Sequence, residues 1–472
     1  MFYKSSKNIG KTAYNQIGLN DLDCHQKSKV LKTILLFGAG KSATVLIEYL
    51  IEEGQKNNWQ LVIADAGKEL IESKTKNAAN TKAIQLDITD ESKRQELIAD
   101  ADIVISMMPA NLHYLVAEDC VTLRKSLLTA SYVDEGVKEL KAAIEENKLL
   151  FLCEMGLDPG IDHMSAMKLF HEIEDKGGVV TSFKSHCGGL IAPESDNNPW
   201  HYKISWNPRN IVLAGKAGAV YKEDGKITER TYKEIFEHCP LIDIPSLNEF
   251  AWYPNRDSLS YIPIYKLDDA ATFIRTTLRH PSFCRGWDKI IHLGLTDTDD
   301  TANILDCITY EDWMHRKLFF VEQREMGWDE YLDLYVEEIY HEELNNQFNF
   351  LGLMDKPNLP KEHTCSADIL QTAVETKLAM QPDDKDMIVM LHEIEYTANG
   401  QQSMVNSSLI VKGEDSLHTA MAKTVGLPLG IAAKLILQDK IKLTGLHIPV
   451  VKEIYEPVLE ELKKYGIIFN ER

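Results

Sequence analysis

The sequence predicts an α/β fold: a parallel sheet covered by helices on both faces, then a second strand-bearing lobe interrupted by a helical stretch. Three observations predict it. Short apolar runs alternate with helical segments over residues 33–153, the spacing of βαβ units. At Glu154 the pattern breaks, and the turn-rich GLDPGIDH of residues 156–163 leads the chain elsewhere. From about residue 301 to 383 the chain is helical and acidic, before alternating strands resume at Met387. A chain of 472 residues accommodates two or three domains.

Residues 33–37 (TILLF) read as a buried strand that ends at Gly38-Ala39-Gly40, with a helix from Lys41. Strand, glycine turn and helix in that order suit a dinucleotide. Gly38 permits the tight turn, Gly40 lets the main chain approach a pyrophosphate, and Ala43 takes the place of a third glycine. The helix start then offers N–H groups to phosphate. The second strand, residues 61–65 (LVIAD), ends in Asp65, 25 residues beyond Gly40. A carboxylate there accepts hydrogen bonds from ribose hydroxyls and repels a 2′-phosphate, which favours NAD over NADP, with Lys68 softening the choice. A third strand, 83–86, places Asp87 and Ile88 near the adenine edge. A fourth, 102–107, leads to Met108-Pro109 beside the nicotinamide ribose; a fifth, 126–130, leads into Ser131-Tyr132; the sixth is 149–153. Ligands gather at the carboxyl ends of such strands.

Asp162 is placed to cap a helix running to about Lys176. The second lobe opens with a strand over 179–186, followed by a loop from Cys187 to Val212 in which Trp200, His201, Tyr202 and Trp206 look exposed. A loop of that length is usually functional when it is not disordered, and its aromatics argue against disorder. Residues 253–258 (YPNRDS) form another turn. Residues 273–279 (FIRTTLR) read as a strand with Arg275 and Arg279 on one face, and convergent guanidinium groups suit carboxylates. Residues 330–350 show helical periodicity, and a further helix spans 366–380. Strands 387–396 and 407–411, joined through Asn399-Gly400, make a hairpin. His392 and Glu393 point to opposite faces of their strand, so they are no ligand pair, and no metal site is expected. Residues 416–438 form a buried helix kinked or split at Pro428, and 457–465 a final amphipathic helix.

A net charge of -21 argues against non-specific nucleic-acid binding, and 44% hydrophobic with 26% charged residues is a soluble composition. The eight cysteines show no CxxC spacing and read as reduced, cytoplasmic thiols. The apolar stretch 425–437 is interrupted by Pro428 and Lys434, so no membrane span is expected. The first residues lack the apolar core of a secretory signal, and residues 1–30 read as an extension before the first strand.

The segments GAGKSA, DIVISMMP, GLDPGIDH, SHCGGLIAPESDNNPWHYKISW, YPNRDS, TLRHP and MAKTVGLPLGIAAKLIL together resemble the L-glutamate-forming saccharopine dehydrogenases, or saccharopine reductases, from about Lys32 onward. The resemblance implies a variant Rossmann parallel sheet (31–155, rejoined by 413–472), a mixed α/β substrate domain (156–300, rejoined by 384–412) and an inserted helical domain (301–383). It implies dinucleotide contacts at Ala39, Gly40, Lys41, Ser42, Asp87, Ile88, Met108, Ala130, Ser131, Leu157, Asp158 and Pro159. It implies substrate contacts at Ser131, Tyr132, Arg256, Thr277, Leu278 and Arg279. Saccharopine carries three carboxylates, so Arg256 and Arg279 make sense as clamps, with Lys203 beside them. Tyr132, Asp158 and Cys187 are the candidates for proton transfer. The implied reaction oxidises the secondary amine of saccharopine with NAD or NADP and water to L-glutamate and 2-aminoadipate 6-semialdehyde. One departure bears on the cofactor: NADP-using fungal members place an arginine just after the second strand, where this chain has Ala64-Asp65-Ala66. A reductase of carboxylated polyamines would lack the third-carboxylate clamp, and a dinucleotide-binding regulator would not need the substrate-side loop. A homodimer is compatible with the family.

Overall fold

The computed structural model describes residues 31–247 and 249–472; the expected N-terminal extension, residues 1–30, lies outside them. Six parallel strands appear where the apolar runs place them: β1 (Lys32–Phe37), β2 (Trp59–Asp65), β3 (Thr81–Gln85), β4 (Ile103–Ser106), β5 (Leu127–Thr129) and β6 (Leu150–Leu152). Their order is 3-2-1-4-5-6, and a seventh strand, Gly445–His447, joins the β6 edge, also in parallel. The inner runs are mostly apolar because both faces are covered; β3, at the sheet edge, is only half-buried. Ile34 and Leu36 face one core and Leu35 and Phe37 the other. Helix α1 (Thr44–Asn57) follows the glycine turn after one 3-10 turn over Lys41–Ala43.

The second sheet is mixed. Its central strands are β7 (Val179–Ile191) and β13 (Thr272–Arg279), which run parallel. Between them in sequence lie β8 (Ala219–Glu223), β9 (Lys226–Arg230), β10 (Leu241–Asp243), β11 (Glu249–Pro254) and β12 (Arg256–Asp257). The hairpin β14 (Asp386–Ala398) and β15 (Gln401–Lys412) packs on the other side of β7. Asn399 and Gly400 both have positive φ, 54° and 75°, the geometry of a primed two-residue turn. Helix α2 (Ile161–Asp175) connects the two sheets along the chain, and α3 (Pro281–His292) leads from β13 into the helical lobe.

Several sequence expectations are corrected. The loop expected from Cys187 begins as strand, since β7 runs on to Ile191. Trp200 and Tyr202 are fully buried rather than exposed. They belong to the helical lobe's core with Trp287, Trp313, Tyr331 and Phe348. Aromatic residues in a polar, proline-flanked stretch look exposed until the partner helices are known. The helix over 330–350 is two pieces, Trp328–Tyr335 and His341–Leu351, separated by the extended Val336. Helix α4 (Ala420–Leu437) continues through Pro428 as one element, so it is not split there. It is long and apolar enough to cross a membrane, yet 83% of it is buried inside the fold. It lies directly on α1: a Cβ at Gly426 would come within 2.9 Å of Leu46. The last helix, α5 (Lys452–Leu462), starts before Pro457 rather than at it.

Candidate active site

The strand ends of the parallel sheet build a cleft of about 480 Å³ lined by Asp65, Asp87, Ile88, Met108 and their neighbours. Gly38 has φ +95°, and a Cβ there would meet the Met107 carbonyl oxygen at 2.9 Å, so the turn requires glycine. At Gly40 a Cβ would meet nothing; the main chain is open on the side from which a pyrophosphate would approach, with Lys41 and Ser42 leading into α1. Asp65 has a task the sequence did not disclose. Its Oδ2 accepts from the Ala39 N–H (2.7 Å) and its Oδ1 from the Gly67 N–H (2.9 Å), bracing the glycine loop. Lys74 donates to the Gly40 carbonyl (2.6 Å), and burial lowers its pKa to about 8. Asp87 accepts from the main chain and hydroxyl of Thr89, which hold its carboxyl below the usual range. These residues fit a nicotinamide dinucleotide, with carboxylates at the adenosine end and bare main chain at the phosphates.

Next along the strand ends, Ser131 is held by His113, whose Nε2 lies 2.7 Å from the serine oxygen and whose Nδ1 lies 2.8 Å from Ser106. Burial lowers the His113 pKa to about 4, so the ring is neutral. The turn after β6 carries the main charge cluster. Asp158 and Asp162 share Arg275, at 2.6 and 2.8 Å from its Nη2. Asp162 therefore does not cap α2 by itself. Gly160 is the N-cap, and Asp162 accepts its N–H with one oxygen and Arg275 with the other. Burial pushes Asp158 up to about 6 against the pull of Arg275. Burial also works against Asp162, but His163, Arg275 and the Gly160 N–H outweigh it and hold that carboxyl low. Arg275 lies between rings, 4.5 Å from the centre of Tyr261 and 5.8 Å from that of Tyr132.

Behind this cluster sits Glu154, buried, with a φ of 58°. It accepts from the Val133 N–H (3.2 Å) and the Tyr261 hydroxyl (3.0 Å), and pairs with His163 Nε2 (2.8 Å). One carboxylate thus holds the loop of Tyr132, the start of α2 and the substrate lobe. Tyr265 closes the set on the other nitrogen of His163. Glu154, His163, Tyr261, Tyr265 and His113 were not assigned from the sequence. Glu154 follows β6 directly, so the rule that ligands gather at strand ends was the signal that could have found it.

On β13 the two-residue alternation puts Arg275, Thr277 and Arg279 on one face, with Thr277 opposite Cys187 of β7. Arg279 is 4% exposed. Its Nη1 donates to the Leu278 carbonyl (2.9 Å), its Nε has no partner, and its guanidinium lies over Tyr202 and Phe283. Among the described residues it has no carboxylate counter-ion. Arg256, exposed and with φ 53°, also lies over the Tyr132 ring, 5.5 Å from its centre. Tyr132 is half-buried and Cys187 buried, and desolvation raises both pKa values, so both are neutral near pH 7.

Contacts thus link Arg256, Tyr132, Arg275 and Asp158, and Cys187, with Thr277 opposite it, lies within charge range of Asp158, Arg275 and Arg279; Ser131 directly precedes Tyr132, and Leu157 and Pro159 flank Asp158. Two expected substrate contacts lie apart. Lys203 is buried and paired with Asp384 at 2.6 Å, so its charge is already neutralised. The Leu278 side chain points to the opposite face of β13, into a core with Leu190 and Val389; only its main chain can face the crevice.

Two family models match the chain: one described as the saccharopine dehydrogenase NADP binding domain over residues 34–152, and one as the saccharopine dehydrogenase C-terminal domain over 156–467. The mitochondrial alpha-aminoadipic semialdehyde synthase of Mus musculus is 32% identical over 449 residues, which cover 93% of this chain and 47% of that protein. The chain therefore spans about half the length of that relative. Saccharopine dehydrogenase (NADP(+), L-glutamate-forming) of Saccharomyces cerevisiae is 31% identical over 448 residues, covering 93% of this chain and 99% of that one. The solved apo structure of histidine-tagged saccharopine dehydrogenase (L-Glu forming) from the same yeast aligns with a TM-score of 0.82 at 30% identity, covering 93% of this chain and 99% of that chain.

Proposed function

The chain belongs to the saccharopine dehydrogenase family, and from that premise we propose that it interconverts saccharopine and water with L-glutamate and 2-aminoadipate 6-semialdehyde, using a nicotinamide dinucleotide. The observation that carries this reading is Arg279, a buried cation without a carboxylate partner among the described residues, close enough to Cys187 for the two to interact by charge. A buried charge is costly unless paired, and a substrate carboxylate supplies the pair.

The residues divide the work. Arg279 and Arg256 hold carboxylates at two places and fix the amine between them. Asp158, mostly ionised at pH 7, takes the proton from the secondary ammonium so that its lone pair can support loss of hydride. A nicotinamide dinucleotide held at the glycine turn and the strand ends would supply the hydride acceptor. Water then adds to the substrate imine, and Asp158 returns its proton to the departing glutamate nitrogen. Tyr132 and Cys187, both neutral, donate hydrogen bonds rather than accept the first proton. The cluster of Arg275, Asp162, His163 and Glu154 keeps Asp158 in place.

Steady-state assays with saccharopine and each dinucleotide test the reading; no turnover with either overturns it. In the oxidative direction kcat/KM should rise with pH through about 6, as Asp158 loses its proton. Asp158→Asn should lose that limb and most of kcat; an unmoved profile would assign the base elsewhere. Arg256→Ala should raise the KM for saccharopine about ten- to a hundredfold, as expected for one charge-assisted carboxylate contact, and leave the dinucleotide KM unchanged.

On the choice of dinucleotide, the yeast relative's name carries NADP(+) and favours it. One observation runs the other way: Asp65 and Asp87 line the adenosine cleft with no arginine between them, and a 2′-phosphate would face both carboxylates. We expect NAD to serve at least as well as NADP. Asp65→Ser should raise the efficiency with NADP relative to NAD by about tenfold, the effect of removing one like charge; an unchanged ratio would leave Asp65 with its loop-bracing task alone. The seven described cysteines are all free thiols, which supports a reducing compartment such as the cytoplasm.

A further inference from the structure

Further along α2, away from the crevice, lies a second cleft of about 530 Å³. Helix α2 forms one wall with Ser165, Lys168 and Glu172; α5 and the last residues of the chain form the others. Its floor is unsatisfied. Ser407 lines it, is 1% exposed, and its hydroxyl has no hydrogen-bond partner among the described residues. His392 stands opposite Ser407 in the β14–β15 register. Its Nε2 lies 2.7 Å from Ser165 Oγ and its Nδ1 has no partner. Burial lowers the His392 pKa to about 4, so the ring is neutral. The Phe469 ring stacks on it at 6.0 Å with 9° between planes.

The polarity of the cleft selects its occupant. Five carboxylates line it, Glu172, Asp175, Glu456, Glu460 and Glu471, against three lysines; Lys168, Lys452 and Lys463 pair with the other four and leave Glu456 without a cation among the described residues, so an anion is disfavoured. Among the described residues no cluster of side chains could hold a metal ion. Leu459, Ile467 and Phe469 supply an apolar strip beside the acidic rim. A ligand with an ammonium head and an aliphatic stem satisfies all three features: charge, strip and the unpartnered hydroxyl.

We propose that this cleft is a ligand site, distinct from the dinucleotide and saccharopine sites, for a small aliphatic primary ammonium compound, either a diamine or a diamino acid. The Ser407 hydroxyl accepts from the ammonium, Glu456 faces it, and the stem lies against Ile467 and Phe469. The site adjoins α2, whose first turn carries Asp162 and His163, so an occupant would press on the helix that orders the charge cluster.

Isothermal titration of the full chain with cadaverine, L-lysine and glutarate tests this. The expected result is saturable binding of at least one amine and none of glutarate. Cadaverine alone identifies a diamine, L-lysine alone a diamino acid, and both together the shared ammonium and stem. Ser407→Val should weaken binding about tenfold, the loss of one hydrogen bond to a charged group, and raise the melting temperature of the free protein because it removes an unpartnered hydroxyl. Glu456→Gln, on the exposed rim, should weaken binding without affecting folding and decides the matter if Ser407→Val does not fold. Arg256→Ala, which disables the saccharopine crevice, should leave amine binding intact. Absence of amine binding, binding indifferent to Glu456→Gln and to any folded Ser407→Val, or binding lost in Arg256→Ala would overturn the proposal.

Discussion

Arg279→Met is expected to raise the KM for saccharopine by two to three orders of magnitude, with the dinucleotide KM unchanged and the melting temperature no lower. Arg279 is 4% exposed and its Nε donates to nothing. Its neighbours are carbonyls and the rings of Tyr202 and Phe283. Without substrate, folding carries the cost of an uncompensated buried charge; in the proposed reaction a substrate carboxylate would meet the same charge. A buried pair that loses one partner forfeits about 3–5 kcal/mol, which is about two to three powers of ten in affinity. A methionine of similar length fills the space without the desolvation cost. Initial-rate kinetics and thermal unfolding read the two effects separately. A variant that loses stability and keeps its KM would make Arg279 a structural residue.

The same substitution four residues earlier is expected to do the opposite. Arg275→Met should lower stability by about 3–5 kcal/mol, because Arg275 is the cation shared by Asp158 and Asp162. Its removal leaves two carboxylates buried together. Each then ionises less readily folded than unfolded, so the folded state binds more protons. Stability must therefore recover as pH falls and worsen as it rises. Chemical denaturation near pH 5 and near pH 8 reads this, with the larger deficit at pH 8. Arg275→Lys should recover only part of it, since an ammonium lacks the planar fork that spans two acceptors. A deficit that does not vary with pH would mean that the cluster is not held by charge.

These two arginines show how far the sequence could be read. Their spacing on a strand placed them on one face, and that was correct. Which of them was already neutralised depended on Asp158 and Asp162, brought in by a turn more than a hundred residues away in sequence. Periodicity does not encode such a meeting. Lys203 is the same case in reverse: its motif suggested a free cation, and Asp384 from the other side of the helical insertion neutralises it. The parallel sheet was legible because its inner strands are buried on both faces and so stay mostly apolar, while the edge strand β3 (TKAIQ) is only half-buried. Trp200 and Tyr202 were misread because their burial depends on helices that follow much later. Glu154 went unnoticed for a related reason: a lone acid at a strand end becomes distinctive only once Val133, His163 and Tyr261 converge on it.

The seventh strand of the nucleotide sheet, Gly445–His447, and the helix α4 that covers α1 are translated long after the first six strands. Until they emerge, the apolar face of α1 and the β6 edge have no native cover, so the nascent nucleotide half is an aggregation-prone intermediate that cannot mature domain by domain. A ribosome-stalled chain ending before residue 413 should recruit holdase chaperones and remain protease-sensitive, and the first half expressed alone should not be recovered as a stable module.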